Sequence, residues 1–486
     1  MRKMKRYLFV TLVLFSISGT CFCQDKTAEI DKMMDSAWRN GYFSGMITVA
    51  EKGRIIYNKG FGYADIEKKQ KIDENTLFNL CSVTKQFTAM AIMMLKEEGK
   101  LGYDDELARF FPSLPYKGVT IRQMLSHISG LPDYMILAME EWPEENNYGN
   151  KEAIELLARY QPPLFFIPGE KFQYSNTAYM LLASIVEKLS SKTFAGFLKE
   201  KIFVPLHMDR TFVCTKEENE AMKTNIAKGY VWDRQTLANT PAENSDQFSK
   251  QVRTIIYPIG DGGIFSTASD MMKWEQALKT EQLVKQSVLQ EAYQSAKTND
   301  GKEAGYGFGW FVVKDPANGK IVQHTGGWPG FRNAFVRYLD KDRVLLVLRN
   351  YEMEFRGIQP AVNNILEGKP YTMPQPSLAY AFAFVSLTSD DQIIPAVFKK
   401  LKGTSIINEE EINDVGYSLA KKGLKKHALE VMKANAELFP RSWNVYDSLG
   451  ELYLANGDKE NARLNYKRSL ELNAGNEGAK KALENL

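Results

Sequence analysis

"NLCSVTKQFTAMAIMML", Asn79 to Leu95, carries no charge on any helical face from Phe87 onward. This spacing predicts a helix over 82–98 that is buried on all sides. Lys85 is the misfit, because a buried ammonium is costly unless it is paired or its pKa is lowered. Ser82 lies three residues earlier, on the same helical face. A desolvated lysine that is neutral part of the time can take the serine proton and turn Oγ into a nucleophile. A helix N-terminus favours the negative charge that develops there. The spacing alone is not specific: it recurs at Ser418 and Lys421, where a solvated helix face is expected.

Outward from this helix, "MITVAEKGRIIYNKGFGYAD" reads as two strands around a turn, Met46 to Ala50 and Ile55 to Gly60. "VTIRQMLSHISGLPDY" predicts a helix ending near Ser129-Gly130. A second apolar helix is expected from Ala178 to Leu189. Between about 207 and 262 the pattern dissolves into a polar stretch, the mark of a surface excursion over a site. Thr267 and Asp270 suit a capping box on the next helix. "YGFGWFVV", "KIVQHTGG", "RNAFVRYL" and "RVLLVLRN" then read as four successive strands. Strands first, helices in the middle and strands last predict an α+β fold, one antiparallel sheet closed by both ends of the domain and flanked by helices.

"EGKPYTMPQPS" breaks the pattern, and residues 370–376 read as a linker. Beyond it, Gly416, Gly423, Ala428 and Leu438 recur at Gly450, Gly457, Ala462 and Leu472, each 34 residues on. That period, with small residues where paired helices cross, is the tetratricopeptide signature. Residues 377–486 are therefore expected to form tetratricopeptide-like helical repeats, with 377–403 a divergent first pair and 477–486 a capping helix. Such an array is a candidate surface for a protein partner.

Arg2, Lys3, Lys5 and Arg6 precede an uncharged stretch from Tyr7 to Thr20, followed by "CFCQ". Residues 1–23 read as a signal peptide, which predicts an exported, periplasmic or secreted protein. Lipid attachment at Cys21 is the poorer reading, since Ser18-Gly19-Thr20 matches a lipoprotein cleavage site badly. The stretch is short for a membrane span, so no transmembrane anchor is expected. The chain has 62 basic and 59 acidic residues, and loss of the four basic residues in the signal leaves 58 against 59. A near-neutral protein argues against a nucleic-acid partner. Cys81 and Cys214 do not make a disulfide framework. His127, His207, His324 and His427 show no paired-ligand spacing, so neither metal nor cofactor is expected.

Two further elements carry chemistry. Tyr174-Ser175-Asn176 stands just before the second apolar helix, which would hold a phenol and an amide rigidly. Tyr174 can relay a proton if neighbouring cations lower its pKa. Asn176 can bond Lys85 and a substrate amide. His324-Thr325-Gly326-Gly327 closes a β-branched strand, where a backbone amide can point into a cleft and the glycines let a substrate lie close.

In this order the three elements resemble the serine penicillin-recognising hydrolases, in particular the group of class C β-lactamases, DD-carboxypeptidases, D-amino-acid peptidases and esterases. "LSHISGLPDY", "PGEKFQYSN", "GDGGIFSTASDMMKW" and "YGFGW" add to the resemblance, which spans roughly 30 to 367, within a hydrolase domain over 24–369. It implies Ser82 as acylated nucleophile, Lys85 as base and Tyr174 as second proton carrier. Asn176, His324, Thr325 and Gly326 would bind substrate. The amides of Ser82 and Gly327 would form the oxyanion hole. His324 stands where many β-lactamases of the group have lysine, which favours a DD-peptidase-like or esterase-like task over dedicated antibiotic hydrolysis. The resemblance implies a serine hydrolase that acts through an acyl-enzyme on a small amide or ester: a D-amino-acid peptide, a β-lactam or an ester. From a different class, the alternative is a non-catalytic ligand sensor whose repeats report occupancy. His127 reads as structural.

Overall fold

Two strands near the start of the chain and four before residue 350 hydrogen-bond into one sheet. The computed structural model describes residues 20–215, 224–353, 355–389 and 393–486, with side chains from residue 26. In it β1 spans Gly45–Glu51 and β2 Arg54–Phe61. A hairpin follows much later, β3 (Tyr230–Asp233) and β4 (Ala238–Pro241). Then come β5 (Phe311–Asp315), β6 (Gly319–Trp328), β7 (Phe331–Tyr338) and β8 (Arg343–Arg349). The sheet order is β5-β6-β7-β8-β1-β2, antiparallel throughout, so the two ends of the domain meet at β8 and β1.

The period-two alternation of side chains separates two cores. Met46 and Ala50 of β1, with Val344, Leu346 and Leu348 of β8, face the main helical layer. Ile47, Val49, Leu345 and Val347 point the other way, onto the helices Thr20–Arg39 and Ile358–Leu366. The expected α+β architecture is present, with an all-helical segment after it.

The helix of the opening stretch runs Lys85–Glu97, entered through a 3-10 turn at Cys81–Thr84, and every residue from Lys85 to Leu95 is buried. Phe87 stacks on Trp274 at 4.2 Å, and Trp274 Nε1 donates to Gln86 Oε1 at 3.0 Å. Burying a ring such as Phe87 contributes about 2–3 kcal/mol. The second apolar helix spans Asn176–Ser190, capped by Ser175, whose hydroxyl accepts from the Ala178 amide.

Two expectations need correction. The helix from Ile121 stops at Leu125, not near Gly130. His127 takes a left-handed φ of 56°, and the amides of Gln173, Gly169 and Phe165 bond to the carbonyls of His127, Ile128 and Gly130. Those carbonyls serve a neighbouring loop instead of continuing the helix. Thr267 does cap its helix by accepting from the Asp270 amide, but the reciprocal half of the box is absent. The Asp270 carboxylate bonds the Arg210 amide and the Thr211 hydroxyl instead.

The signal-peptide reading falls mostly on residues 1–19, outside the described residues; the described chain begins in the helix Thr20–Arg39. Among the described residues no helix is long and apolar enough to cross a membrane. Cys81 and Cys214 are buried and form no disulfide.

Within the stretch read as a linker, Gln375–Pro376 pairs with Phe355–Arg356 as a short ladder. Two helical hairpins with the predicted offset follow later, Glu409–Lys421 with Lys425–Leu438 and Trp443–Ala455 with Lys459–Leu472. Gly416 packs on Met432, and Gly450 on Tyr466, so the small residues stand where the helices cross.

Candidate active site

Ser82 sits in the 3-10 turn that precedes the buried helix, and the residue before it, Cys81, holds a left-handed φ of 52°. Backbone strain of this kind persists where surroundings over-determine it, and it marks functional sites. Here the Asn79 side-chain oxygen accepts the Cys81 amide at 2.9 Å, and the Cys81 thiol points to the Asn79 carbonyl. The turn aims Ser82 into a cavity of about 470 Å³.

Lys85 is fully buried one turn further on. Its Nζ donates to the Asp261 carbonyl at 2.7 Å, to Asn176 Oδ1 at 2.9 Å and to Ser82 Oγ at 3.3 Å. These three acceptors match the three hydrogens of an ammonium. Nζ also lies 4.7 Å from the centre of the Tyr174 ring and 5.6 Å from that of Tyr179. Burial lowers the Lys85 pKa to about 8, against the opposing pull of Asp261 and Asp133. About a tenth of the amine is then neutral at pH 7.

The expectation for Tyr174 changes sign. Burial dominates and pushes its pKa well above the ordinary value, against the pull of Ser82. Its hydroxyl is buried and makes no hydrogen bond in this conformation. Tyr174 is therefore a neutral phenol beside Ser82 and Lys85. Its ring packs on His127 at 4.2 Å. His127 Nδ1 accepts the Ser175 amide at 3.0 Å, which ties the Tyr174-Ser175-Asn176 corner down.

His324 differs most from its expected role. It is 1% exposed, its Nδ1 lies 2.6 Å from the Thr325 carbonyl, and its Nε2 lies 2.8 Å from the Tyr306 hydroxyl. The carbonyl can only accept, so Nδ1 carries the proton and Nε2 accepts from Tyr306. Burial lowers the pKa to about 3, and Lys85 opposes a second charge. The imidazole is neutral at working pH and, like Lys85 and Tyr174, is not among the residues lining the cavity; unlike them it has no contact with Ser82 or Asn176. The Thr325 side chain is exposed on the opposite face of β6 and is also outside the lining. Gly326 is close to protein instead of cleft: a Cβ there would lie 2.4 Å from the Leu80 carbonyl. Gly327 does line the cavity. Beyond Gln323 no strand among the described residues pairs with β6 on its β5 side, and this edge runs along the Ser82 turn.

One further residue escaped the sequence reading. Asp261 lines the cavity at 4% exposure, and its Oδ2 accepts the Tyr134 hydroxyl at 3.1 Å. Burial pushes its pKa up to about 6, against the pull of Lys85. The signal was an acid set between glycines in "GDGG", which spacing alone did not connect to Lys85.

Comparison with known proteins gives the family. Residues 28–361 match the Beta-lactamase family, and the chain belongs to it. Penicillin-binding protein 4* of Bacillus subtilis (strain 168) is 35% identical over 355 residues, covering 72% of this chain and 78% of the relative. Protein flp of Staphylococcus aureus (strain N315) is 26% identical over 345 residues, covering 69% of this chain and 65% of the relative. Among solved structures, the octameric penicillin-binding protein homologue from Pyrococcus abyssi is 27% identical with a TM-score of 0.60, covering 70% of this chain and 77% of that one.

Proposed function

We propose that the chain is an exported serine hydrolase that forms an acyl-enzyme on Ser82 with a small amide or ester substrate. The observation that carries this is Lys85 Nζ, with its lowered pKa, at 3.3 Å from Ser82 Oγ. Neutral Lys85 accepts the Ser82 proton as Oγ bonds to the acyl carbon. The carbonyl oxygen becomes an oxyanion, held by the amides of Ser82 and Gly327. Collapse breaks the bond to the leaving group, which takes a proton from the Tyr174 hydroxyl, and Lys85 returns a proton to Tyr174. Water then attacks the acyl carbon by the reverse route, gives up its proton through the same pair, and releases the acid. Asn176 lies between Lys85 and the cavity and fits the positioning of a substrate amide.

The substrate reading is a D-amino-acid peptide or an ester before a β-lactam, because His324 places no cation where a carboxylate would be anchored. Residues 24–369 are read as the hydrolase domain, 370–376 as a connector, and 377–486 as tetratricopeptide-like repeats that offer a surface to a protein partner. Residues 1–23, read as an export signal from their basic start and uncharged stretch, support a periplasmic or secreted setting. A non-catalytic sensor would have no use for a desolvated lysine against its serine. Turnover of a chromogenic ester by the wild type, lost in Ser82→Ala with the fold retained, is the expected result. Wild-type turnover in Ser82→Ala would refute the nucleophile.

A further inference from the structure

The tip and the base of one hairpin belong to different parts of the molecule. At the tip, Leu237 is 6% exposed and is part of the apolar core of the C-terminal helices, with Trp232 packed against the same core. Trp232 stands edge-on to Tyr380 at 5.0 Å, and Arg234 pairs with Asp414 at 3.0 Å. Tyr380, on the helix Leu378–Thr388, also donates to the Gly41 carbonyl at 2.9 Å, which fixes that helix against the first domain. At the base, Gly229 precedes β3, and Pro241, Ala242 and Glu243 end and follow β4; all four line the cavity that receives Ser82. The Ala242 amide donates to the Gly229 carbonyl at 2.9 Å, closing the base. A two-stranded hairpin is marginally stable by itself; the first domain holds its base, where the Tyr230 amide donates to the Asn350 carbonyl and the Glu352 amide to the Tyr230 carbonyl, and the helical segment holds its tip.

We propose that the C-terminal helical segment is a specificity element of the site: by gripping the tip of β3–β4 it fixes one wall of the acyl cavity. This rests on the serine-hydrolase reading. None of the four wall residues is among the hydrogen-bond partners of Lys85, so the wall bears on the extended part of a bound acyl chain more than on the reacting carbonyl. An apolar chain that reaches the wall loses contact when the hairpin loosens, and a short one does not. The Pro-rich connector invites the opposite expectation, independent folding without effect on the site; the shared core at Leu237 and Trp232 contradicts it.

The test uses the full-length chain with Leu237→Ser and, from the helical side, Tyr380→Ala, neither of which touches the cavity. Hydrogen exchange over 230–241 should accelerate in both. The rate of Ser82 labelling by an octyl fluorophosphonate should fall about fivefold or more, the worth of one or two methylene contacts, while labelling by an ethyl fluorophosphonate stays within about twofold. General damage to the fold would slow both probes alike, and an unchanged octyl-to-ethyl ratio in a loosened hairpin would overturn the proposal. Unchanged exchange over 230–241 would also overturn it, since the helices would not be holding the hairpin. Labelling of the parent protein at Ser82 by either probe is the separate check on the hydrolase reading.

Discussion

His324 Nε2 accepts a hydrogen bond from the Tyr306 hydroxyl and Nδ1 donates to the Thr325 carbonyl, so both ring nitrogens are held by the protein and neither is left to face a substrate. An ordinary histidine gains charge as pH falls through about 6.5. With a folded pKa of about 3, the group stays neutral and its stabilising effect runs the other way. The lowered folded value means stability is fully present above the unfolded pKa of about 6.5, and is lost as pH falls from there towards 3. One buried histidine of this kind costs up to about 1.4 kcal/mol per pH unit in that window. The His324 ring proton, assigned by its loss in His324→Gln, should show no titration in NMR spectra between pH 5 and 8. A midpoint near 6.5 would return His324 to the cleft.

Lys85 should be a net burden on stability near neutral pH. Its folded pKa of about 8 is below the ordinary 10.5, so its contribution is whole only above 10.5 and is lost as pH falls to 8. Lys85→Met removes a poorly solvated amine and leaves the Asp261 carbonyl and Asn176 without their donor. We expect a net gain of about 1 kcal/mol, read as a higher Tm, together with loss of acylation. A lower Tm would mean that the three hydrogen bonds outweigh the desolvation.

Tyr174→Phe should slow turnover by about a hundred- to ten-thousandfold, the usual worth of a positioned proton carrier. Its hydroxyl has no hydrogen bond to lose, so stability should stay within about 0.5 kcal/mol. Full activity in this variant would leave Tyr174 as packing for Lys85 alone.

Gly326→Ala tests the closeness of β6 to the nucleophile turn. The added carbon would sit 2.4 Å from the Leu80 carbonyl, which is backbone and cannot rotate away. The strand must shift, and with it the Gly327 amide. A loss of about 1–3 kcal/mol is expected with a clear fall in Ser82 labelling; an unchanged melting curve and unchanged labelling would show that the two segments are not tightly set.

The sheet was legible because both ends of the domain carry clean period-two patterns, and the buried helix because Phe87 to Leu95 has no polar face. Ser82, Lys85, Tyr174 and Asn176 were legible because each pair stands at a helix start, where local geometry fixes direction. What side chains do after burial was not. Tyr174 becomes less acidic because desolvation outweighs the pull of Ser82, and His324 points inward because of its parity on β6. Neither follows from a motif. Asp261 reaches Lys85 only through tertiary packing across 176 residues. The hairpin at 230–241 was read as a surface excursion over a site, but its grip by the helical segment needed Leu237 to be seen among helices far along the chain.

The central claim is that Ser82 is acylated with Lys85 as its base. The most direct measurement is the rate of labelling by a fluorophosphonate as a function of pH, with the modified residue located by mass spectrometry of the peptide spanning Asn79 to Leu95. The account predicts one adduct, on Ser82, with a rate that rises about tenfold per pH unit and levels off near pH 8. An adduct elsewhere, or a rate on Ser82 that is flat from pH 6 to 9, would contradict it.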